Sequence, residues 1–506
     1  MTMRTKRLFD LLEAAGIERT SELADVEVCA VSSDTRTLTP GALFVVVAGT
    51  QENGARYALA ATAAGAVAVV APEAAAEELA ELDVPVMFVD DSRGALARLA
   101  AAFHDTPSHT LDVVGVTGTN GKTTTAHLLR GVLEASGRGP CALIGTIAWE
   151  WGDTVLPARN TTPGAAELQE LLARSRDEAG CVSAAVEVSS HALDQRRAEG
   201  VRFAVGVFTN LTGDHLDYHR SMDAYAAAKA RLFSQLGPDA VAVVNAEDGY
   251  APTMLRDCAA RVITYGIDRT IEADVTARDV EMTARGVEFT LSTPDGDASV
   301  VSPLLGRYNV LNLLAAAGAG LGLGLPVETV AAGLSRVGGV RGRLESVDAG
   351  QDFAVLVDYA HTDDAVSNVL RNLRSIVSGR LLAVLGCGGD RDRTKRPRMA
   401  RAAAELADQC WFTSDNPRTE DQDHIIADML DGVWGARNVR VEVDRRTAIG
   451  LAVATARPGD CIAILGKGHE DYQVIGTTTV PFDDRAVARD ALAAVRVTPG
   501  SRPCAR

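Results

Sequence analysis

The chain has 506 residues, of which 47% are hydrophobic and 23% charged, a composition typical of a globular protein with about three domains. Its formal net charge of −17 opposes general binding of nucleic acid. No stretch reaches the roughly 20 strongly apolar residues that a membrane span needs, and the N-terminus lacks the apolar core of a signal peptide. The eight cysteines form no C-x-x-C pair or zinc-type cluster, so we expect a protein of a reducing, cytoplasmic compartment.

The first segment, residues 1–106, alternates short apolar runs with alanine-rich stretches, a pattern that predicts a small α/β unit. One apolar run ends at the polar turn SSDTR, which contains Thr35. Turn residues at a strand end are compatible with a ligand contact and, equally well, with ordinary surface turn chemistry.

The second segment, residues 107–338, contains the most informative stretch of the chain, LDVVGVTGTNGKTTT at 111–125. An apolar run leads into a turn of small residues, and the helix-like AHLLRGVLEA follows. Backbone N–H groups of such a turn cradle phosphate oxygens, while Lys122 reaches the terminal phosphates and the Thr123 hydroxyl holds Mg²⁺. The stretch therefore predicts binding of a nucleoside triphosphate. Val116 replaces the first glycine of the general phosphate-loop pattern, which indicates a narrower family.

Three polar clusters follow apolar runs in the same segment: ARNTTPG at 158–164, AAVEVSSHALDQRR at 184–197 and GVFTNLTGDHLDYH at 206–219. The apolar runs are typical of buried parallel strands. Because ligands bind at the carboxyl ends of such strands, we expect the clusters and the phosphate loop to share one cleft.

Three residues of this segment are candidates for a metal or phosphate site, and their positions support that role to different degrees. Glu187 lies in an apolar strand, where an unpaired carboxylate is costly, and a strand-end acid beside a phosphate loop commonly contacts Mg²⁺. His215 follows Asp214 in a turn, which fits a ligand of a second cation, a phosphate contact or a hydrogen-bonded turn histidine. The spacing of Lys229, in AYAAAKARLF, predicts only a surface lysine.

The third segment, residues 339–506, begins with a linker-like GGVRGRL stretch and again alternates apolar strands with polar turns, which predicts a second doubly wound domain. Glu470 follows the turn GKGH and is a candidate partner of an ammonium group. The predicted strand ends also carry basic residues that suit a carboxylated substrate or a solvated surface: Arg391, Lys395, Arg396 and Arg418. The last ten residues, VTPGSRPCAR, are predicted to form a loose tail.

Together these motifs resemble the Mur ligase family. The resemblance covers nearly the whole chain and rests on motifs in one order: SSDTR, PGALF, TGTNGKTTT, NTTP, EVSSHALDQRR, TNLTGDHLDYH, AYAAAKARLF, DYAHT, GCGGDRD, SDNPRTED, GKGHEDYQ and FDDR. It implies an α/β protein of three domains, with a central mostly parallel P-loop-type sheet and a C-terminal Rossmann-like doubly wound domain. The expected limits are 1–106 for UDP-sugar binding, 107–338 for ATP binding and 339–506 for amino-acid binding.

The resemblance also implies roles for individual residues. Lys122, Glu187, His215 and Lys229 would be catalytic, with Thr123, Glu187, His215 and Lys229 at the Mg²⁺ site and Lys229 carbamylated to N6-carboxylysine. That role replaces the surface prediction for Lys229. ATP would be bound by Gly118, Thr119, Asn120, Gly121, Lys122, Thr123, Thr124, Asn309, Arg343, Asp358 and His361. The UDP-muramoyl-dipeptide would be bound by Thr35, Asn160, Thr161, Thr162, Ser189, Gln195 and Arg197.

The third-domain motif DNPR resembles that of family members that add meso-2,6-diaminopimelate, and lysine-adding members usually lack this arginine. Diaminopimelate would contact Arg391, Asp415, Asn416, Pro417, Arg418, Gly466 and Glu470. The implied reaction joins diaminopimelate to the D-glutamate of UDP-N-acetylmuramoyl-L-alanyl-D-glutamate, with ATP and Mg²⁺, in a monomer. Lysine or another diamino acid is an alternative substrate, and a nucleotide-binding switch or scaffold is an alternative class. Three residues differ from those usual in the family, at positions expected to affect substrate contacts: Asp363, Gly213 and Asn53.

Overall fold

The computed structural model describes residues 4–18, 23–47, 55–283 and 286–497. Its larger β-sheets number three in these ranges, and each lies within one of the three predicted segments. Asn53 and the C-terminal tail from residue 498 onward lie outside the described residues. Within the described part of the chain, no helix combines the length and apolar character that crossing a membrane requires.

The first domain contains a parallel four-stranded sheet in the order β3-β4-β5-β6, beside a short antiparallel pair, β1 and β2. All residues of β4 are buried, as expected of a parallel strand covered on both faces. The strands are β1 Lys6–Arg7, β2 Glu27–Val28, β3 Ala30–Ser32, β4 Ala42–Val45, β5 Ala68–Pro72 and β6 Val86–Val89. The helices are α1 Leu8–Ala14, α2 Ala55–Ala63, α3 Ala76–Leu79 and α4 Ser92–Phe103.

An eleven-stranded sheet forms the central domain, in the order β10-β9-β8-β11-β7-β12-β13-β14-β15-β16-β17. Neighbours from β8 to β15 are parallel, and the outer pairs are antiparallel. The strands are β7 Asp112–Thr117, β8 Cys141–Ile144, β9 Ala148–Trp151, β10 Thr154–Pro157, β11 Ser183–Glu187, β12 Phe203–Phe208, β13 Val241–Asn245, β14 Arg261–Gly266, β15 Val275–Thr283, β16 Gly286–Thr293 and β17 Gly296–Ser302.

Helices cover both faces of the central sheet. In β7, Val114 and Val116 belong to one apolar core and Val113 to the other, as the alternation of side chains along a strand requires. The helices are α5 Lys122–Ala135, α6 Ala165–Ala179, α7 Ser190–Asp194, α8 Leu216–His219, α9 Met222–Ser234, α10 Ala251–Leu255, α11 Arg307–Gly322 and α12 Val327–Arg336.

The third domain has a six-stranded sheet in the order β18-β19-β23-β20-β21-β22, parallel except for β18. Alternate residues of β20 enter two separate cores, so this sheet is also covered on both faces. The strands are β18 Glu345–Ser346, β19 Ala354–Asp358, β20 Leu381–Cys387, β21 Gln409–Ser414, β22 Val439–Val441 and β23 Cys461–Leu465, followed by the hairpin β24 Tyr472–Ile475 and β25 Thr478–Pro481. The helices are α13 Asp363–Ile376, α14 Lys395–Leu406, α15 Gln422–Leu430, α16 Arg445–Thr455 and α17 Asp484–Val497.

The predicted fold class is confirmed: the chain is α/β, with a mostly parallel central sheet and a doubly wound third domain. Strand β7 lies between β11 and β12, and Glu187 of β11 is in register with Val116 of β7. The polar turns that follow these three strands therefore lie side by side, at the edge of the sheet where open α/β folds bind ligands.

Candidate active site

The phosphate loop follows β7, and α5 begins at Lys122 directly after it. Gly118 and Gly121 have φ angles of +149° and +88°, which favour glycine. A Cβ atom at Gly118 would lie 1.9 Å from the Thr209 hydroxyl oxygen, and one at Gly121 would lie 2.4 Å from Asn312 Oδ1. The two glycines are therefore required by both backbone conformation and packing, and the loop is held against β12 and α11.

Two lysines donate hydrogen bonds to one carbonyl oxygen of this loop. Lys122 Nζ lies 2.9 Å from Gly118 O, and Lys229 Nζ lies 2.7 Å from the same atom. The side chain of Lys229 is 1% exposed and its Nζ lies 4.5 Å from the centre of the Tyr225 ring, so the prediction of a surface lysine is wrong. Burial, and then the charge of Lys122, hold the pKa of Lys229 well below its usual value.

Glu187 is 1% exposed at the end of β11, and neutral donors surround its carboxylate. Thr123 Oγ1 lies 3.0 Å from Oε2, and the Thr146 hydroxyl lies 3.0 Å from the same atom. The backbone N–H of Thr146 donates to Oε1 over 2.8 Å. This arrangement places the loop hydroxyl and a buried carboxylate together, two oxygen ligands of the kind that Mg²⁺ prefers. Across the described ranges, no three His, Cys, Asp or Glu side chains form a ready metal cluster.

His215 lies in the turn before α8 with a φ of +53°. Its Nε2 is 3.4 Å from Asp214 Oδ2, and its ring lies edge-on to His191, with 4.8 Å between the ring centres. Burial lowers the pKa of His215 to about 4. The imidazole is therefore neutral at pH 7, the form in which histidine accepts a hydrogen bond or binds a metal.

One cavity of about 1310 Å³ connects the strand ends of the central sheet with those of the third domain. Thirteen of the site residues predicted from the sequence line it: Asn160, Thr161, Thr162, Ser189, Arg197, His215, His361, Arg391, Asp415, Asn416, Arg418, Gly466 and Glu470. The other predicted site residues are absent from its lining: Thr35, Gly118, Thr119, Asn120, Gly121, Lys122, Thr123, Thr124, Glu187, Gln195, Lys229, Asn309, Arg343, Asp358 and Pro417. Gly213 and Asp363, two of the departures from the family pattern, also line this cavity.

The predicted dipeptide-binding residues are linked to the Glu187 strand end. Thr162 Oγ1 donates to the carbonyl oxygen of Glu187 over 2.8 Å and accepts from the Ser189 backbone N–H over 3.0 Å. Arg197 donates to the Thr162 carbonyl over 3.0 Å, and Gln195 Oε1 accepts from Arg197 Nη2 over 2.6 Å. These bonds fix the orientation of Arg197 at the cavity wall.

Two residues that are predicted to bind the nucleotide use their side chains for hydrogen bonds within the protein. Both carboxylate oxygens of Asp358 accept backbone N–H groups, from Leu344 and Ala360, each over 2.8 Å. Asn309 is buried in α11 and donates to Leu305 O over 2.9 Å. In the structure these residues hold the protein backbone around the cleft.

Two contacts join the third domain to the phosphate loop. Arg343 Nη2 donates to Thr123 Oγ1 over 3.1 Å. Asp364 Oδ2 accepts from Asn120 Nδ2 over 3.1 Å and from Thr212 Oγ1 over 2.9 Å. Residues from both sides of the cleft are therefore within bonding distance of the loop that is predicted to hold phosphates.

The third-domain end of the cavity contains two arginines. Arg418 has a φ of +52° and is fixed by backbone bonds to the hairpin, from its N–H to Val474 O and from Gly476 N–H to its own carbonyl. Its Nη1 donates to Gly389 O over 2.7 Å, and Nε and Nη2 have no partner in the part of the chain that the structure describes. Arg391 lies on the same wall. Two guanidinium groups therefore face this end of the cavity.

Arg396 does not belong with the other basic residues that were predicted to lie at strand ends and face a substrate or solvent. It is fully buried and binds Glu420 and Asp428 over 2.7–2.9 Å. Its charge is neutralised inside the domain, whereas Lys395, the next residue toward the N-terminus, does line the cavity. The basic cluster is thus smaller than the sequence suggested.

Known proteins match the chain throughout its length. Three family descriptions match: "Mur ligase family, catalytic domain" over residues 27–104, "Mur ligase middle domain" over 116–320, and "Mur ligase, glutamate ligase domain" over 342–468. A relative from Gloeobacter violaceus, named UDP-N-acetylmuramoyl-L-alanyl-D-glutamate--2,6-diaminopimelate ligase, is 48% identical over 97% of this chain and 99% of its own length. The chain belongs to the Mur ligase family.

Solved structures of Mur ligases share this fold. One carries the same name as the Gloeobacter relative, is 35% identical, covers 96% of this chain and 99% of its own, and has a TM-score of 0.69. A MurF ligase from Thermotoga maritima in complex with ADP is 18% identical over 92% of this chain and 96% of its own, with a TM-score of 0.60. At that identity the second comparison shows the fold alone.

Several polar residues of this Mur ligase were not predicted as site residues from the sequence. Thr146 binds Glu187, Asn312 packs on Gly121, and Asp364 contacts the phosphate loop. Asp214 and His191 line the cavity beside His215. Asp214 and His191 stand within motifs quoted above, so their position after a strand could have predicted them. The roles of Thr146, Asn312 and Asp364 depend on contacts between distant parts of the chain.

Proposed function

We propose that this Mur ligase is an ATP-dependent, ADP-forming amide ligase that joins meso-2,6-diaminopimelate to the D-glutamate of UDP-N-acetylmuramoyl-L-alanyl-D-glutamate. The observation that carries the proposal is the single cavity that runs from Thr161, Ser189 and Arg197 to Arg391 and Arg418. One end suits an anionic muramoyl-peptide, and the other suits an amino acid with a distal carboxylate. The phosphate loop lies beside the first end.

ATP is the co-substrate, with its phosphates on the loop from Gly118 to Thr124 and Mg²⁺ as the cofactor. The residues fit the ion, since the Thr123 hydroxyl and the Glu187 carboxylate lie 3.0 Å apart and offer hard oxygen ligands. Mg²⁺ takes few protein ligands and completes its shell with phosphate oxygens and water. His215 and Lys229, after carbamylation, would supply ligands for a second ion. The bound metal would neutralise charge on the transferred phosphoryl group.

In the first step, a glutamate carboxylate oxygen of the dipeptide attacks the γ-phosphorus of ATP, and the bond to the β,γ-bridging oxygen breaks. The products are an acyl phosphate and ADP. Lys122, at the start of α5, offsets the negative charge of the transferred group and of the leaving ADP. Arg197 and Thr162 orient the dipeptide so that its carboxylate lies in line with the phosphate, a gain from positioning rather than from new chemistry.

In the second step, the uncharged amine of diaminopimelate attacks the acyl carbon. The tetrahedral intermediate expels inorganic phosphate, the amide bond forms, and the amine loses a proton. Arg391 and Arg418 bind the distal carboxylate, while Glu470 with Gly466 receives the distal ammonium group. Lysine has no such carboxylate, which would leave the guanidinium of Arg418 without an ionic partner.

Carbamylation of Lys229 is part of this proposal. Burial, and then the charge of Lys122, lower the pKa of Lys229, which favours the uncharged amine, and an uncharged amine adds to CO2 to form an N–C bond with release of a proton. The product is an anion beside Lys122, whose Nζ bonds to the same Gly118 carbonyl oxygen as Lys229 Nζ. Carbamylation thus pairs the buried Lys122 cation with an anion and creates a metal ligand.

Replacing Lys229 with Ala is expected to lower kcat by about 100-fold, because a charged group near the transferred phosphate is lost. Wild-type enzyme stripped of CO2 should lose activity and regain it with bicarbonate, as measured by ADP release. The Lys229→Ala variant provides the control and should show no response to bicarbonate. Full activity of that variant would contradict the carbamate.

We also propose how the chain is organised and what it binds. The domain limits are 1–106, 107–338 and 339–506. The enzyme acts as a monomer in the cytoplasm on three small molecules and binds neither nucleic acid nor membrane. The three family matches lie inside these limits.

A test of the reaction class is ADP formation by the purified protein with each substrate omitted in turn. A ligase forms ADP rapidly only when the UDP-muramoyl-dipeptide and diaminopimelate are both present. A nucleotide switch or scaffold would hydrolyse ATP at a rate indifferent to both, and that result would overturn the proposal. When the dipeptide is present without diaminopimelate, transfer of phosphate to the dipeptide also predicts a slow exchange of label between ATP and ADP.

A further inference from the structure

Lys467 lies beneath the amino-acid end of the cavity and is fully buried, without exposure of its side chain. It stands between two glycines with φ angles of +112° and +52°. A Cβ atom at Gly466 would lie 2.6 Å from Asp415 Oδ2, and one at Gly468 would lie 2.6 Å from the Tyr359 Cβ. The turn after β23 therefore requires glycine at both positions, and it directs the Lys467 side chain into the protein interior.

The ammonium group of Lys467 bonds to two residues that are predicted to bind diaminopimelate. Its Nζ lies 3.1 Å from Glu470 Oε2 and 3.2 Å from Asn416 Oδ1. Asn416 Nδ2 donates to the same Glu470 oxygen over 2.8 Å, and the backbone N–H of Val474 donates to Asn416 Oδ1 over 3.0 Å. Glu470 Oε1 receives no hydrogen bond from any described residue. The carboxylate is thus held by one oxygen, and the other remains available.

The charges around Glu470 make its ionisation dependent on Lys467. Burial, and then the Asp415 carboxylate, raise the pKa of Glu470, whereas the charge and hydrogen bonds of Lys467 and the bond from Asn416 oppose that rise. The charged and titratable groups that face Glu470 come from several elements: Asp415 after β21, Lys467 after β23, Arg445 of α16, Tyr359 after β19 and Tyr472 of β24. Arg445 forms a buried ion pair of 2.6 Å with Asp484.

We propose that Lys467 is a positioning residue, which holds Glu470 as a carboxylate with Oε1 directed to the distal ammonium group of the incoming diamino acid. This role rests on the proposed function. Lys467 makes no contact with the substrate itself: it acts by fixing the rotamer of Glu470, whereas the Asn416 amide is also held by the Val474 N–H. A neutral side chain in its place would remove the cation that pairs with Glu470 beside the Asp415 carboxylate, and the pKa of Glu470 would rise further.

The test is the KM for diaminopimelate of the Lys467→Met variant, measured by ADP release over the range from about pH 6.5 to about pH 9. At the low end we expect KM to be about tenfold above that of the wild type, because a charge-assisted bond to the ammonium group is lost. The ratio of the two KM values should fall as the pH rises, since Glu470 of the variant regains its charge. A lysine with only a structural role would give a ratio that does not change with pH.

Two further variants separate the interpretations. In a Glu470→Gln background, Lys467→Met should change the KM for diaminopimelate by less than about twofold, because the group through which it acts is gone. This double variant also removes both charges of the Lys467–Glu470 pair, so it remains informative if the single variant folds poorly. Lys6→Met, which removes an ion-paired lysine of the first domain, is the matched control and should leave KM unchanged.

The outcomes distinguish this role from the proposed function. KM values for ATP and for the UDP-muramoyl-dipeptide within about twofold of wild type show that the fold and the first step are intact. If the wild type ligates diaminopimelate and the KM of Lys467→Met is unchanged or raised equally at every pH, the positioning role is wrong and the function stands. If the wild type does not ligate diaminopimelate, both are wrong.

Discussion

Lys122→Met should lower kcat by about 1000-fold, the largest effect expected of any single substitution in this protein. Lys122 is the first residue of α5 and donates to Gly118 O and Thr119 O, so its ammonium group stands within the phosphate loop. Phosphoryl transfer depends almost entirely on positioning and charge neutralisation, and loss of one preorganised charge of this kind typically costs about 100- to 1000-fold. The measurement is the initial rate of ADP release at saturating ATP and dipeptide.

Methionine keeps the length and apolar stem of the lysine, so the substitution tests the charge. Lys122→Arg retains the charge with a different shape and serves as the comparison, with an expected loss smaller than that of Lys122→Met. Binding of diaminopimelate should be similar in both variants, because its predicted site lies in the third domain. If kcat of Lys122→Met stays within about tenfold of the wild-type value, the phosphate loop does not stabilise phosphoryl transfer through Lys122.

The second large effect is expected for Arg418→Ala, with a KM for diaminopimelate about 100-fold above that of the wild type. The guanidinium group has two nitrogens without a partner in the described residues and faces the cavity on the same wall as Arg391. A charge-assisted bidentate bond to a carboxylate contributes about 2–3 kcal/mol, which corresponds to the expected change. The backbone at this position is already left-handed with a residue other than glycine, so alanine adds no conformational strain.

The KM for ATP should remain within about twofold in Arg418→Ala. Arg401→Ala is the matched control, because among the described residues this exposed arginine of α14 donates only to the Gly432 carbonyl. The preference for diaminopimelate over lysine should shrink in Arg418→Ala and stay unchanged in the control. An unaltered KM for diaminopimelate would remove the assignment of the distal-carboxylate site.

The sequence predicted the phosphate loop and its neighbours because their signals are local. Gly118, Gly121 and Lys122 lie within one short turn, and a strand before and a helix after it are visible as patterns of apolar residues. Parallel strands then bring the ends of β7, β11 and β12 together, with the polar clusters lining the cavity and the phosphate loop beside it rather than in its lining. The binding roles of the individual residues remain predictions.

Other features depend on partners far away in the chain, and local patterns could not reveal them. Lys229 lies on an alanine-rich helix that suggests exposure, yet that face of α9 packs on the phosphate loop 111 residues earlier. Arg396 resembled a pocket residue until Glu420 and Asp428 placed it in a buried ion-pair network. Lys467 stood in a recognised motif, but its bonds to Asn416 and Glu470 became visible only when the ends of β21 and β23 met.

The most direct test of the account is the mass of the product formed from ATP, Mg²⁺, the UDP-muramoyl-dipeptide and an equimolar mixture of diaminopimelate and lysine. The account predicts one major product, the dipeptide extended by diaminopimelate through an amide bond, with one ADP released per product. A product extended mainly by lysine would contradict the assigned role of Arg418. ADP release without any extended dipeptide would contradict the ligase itself.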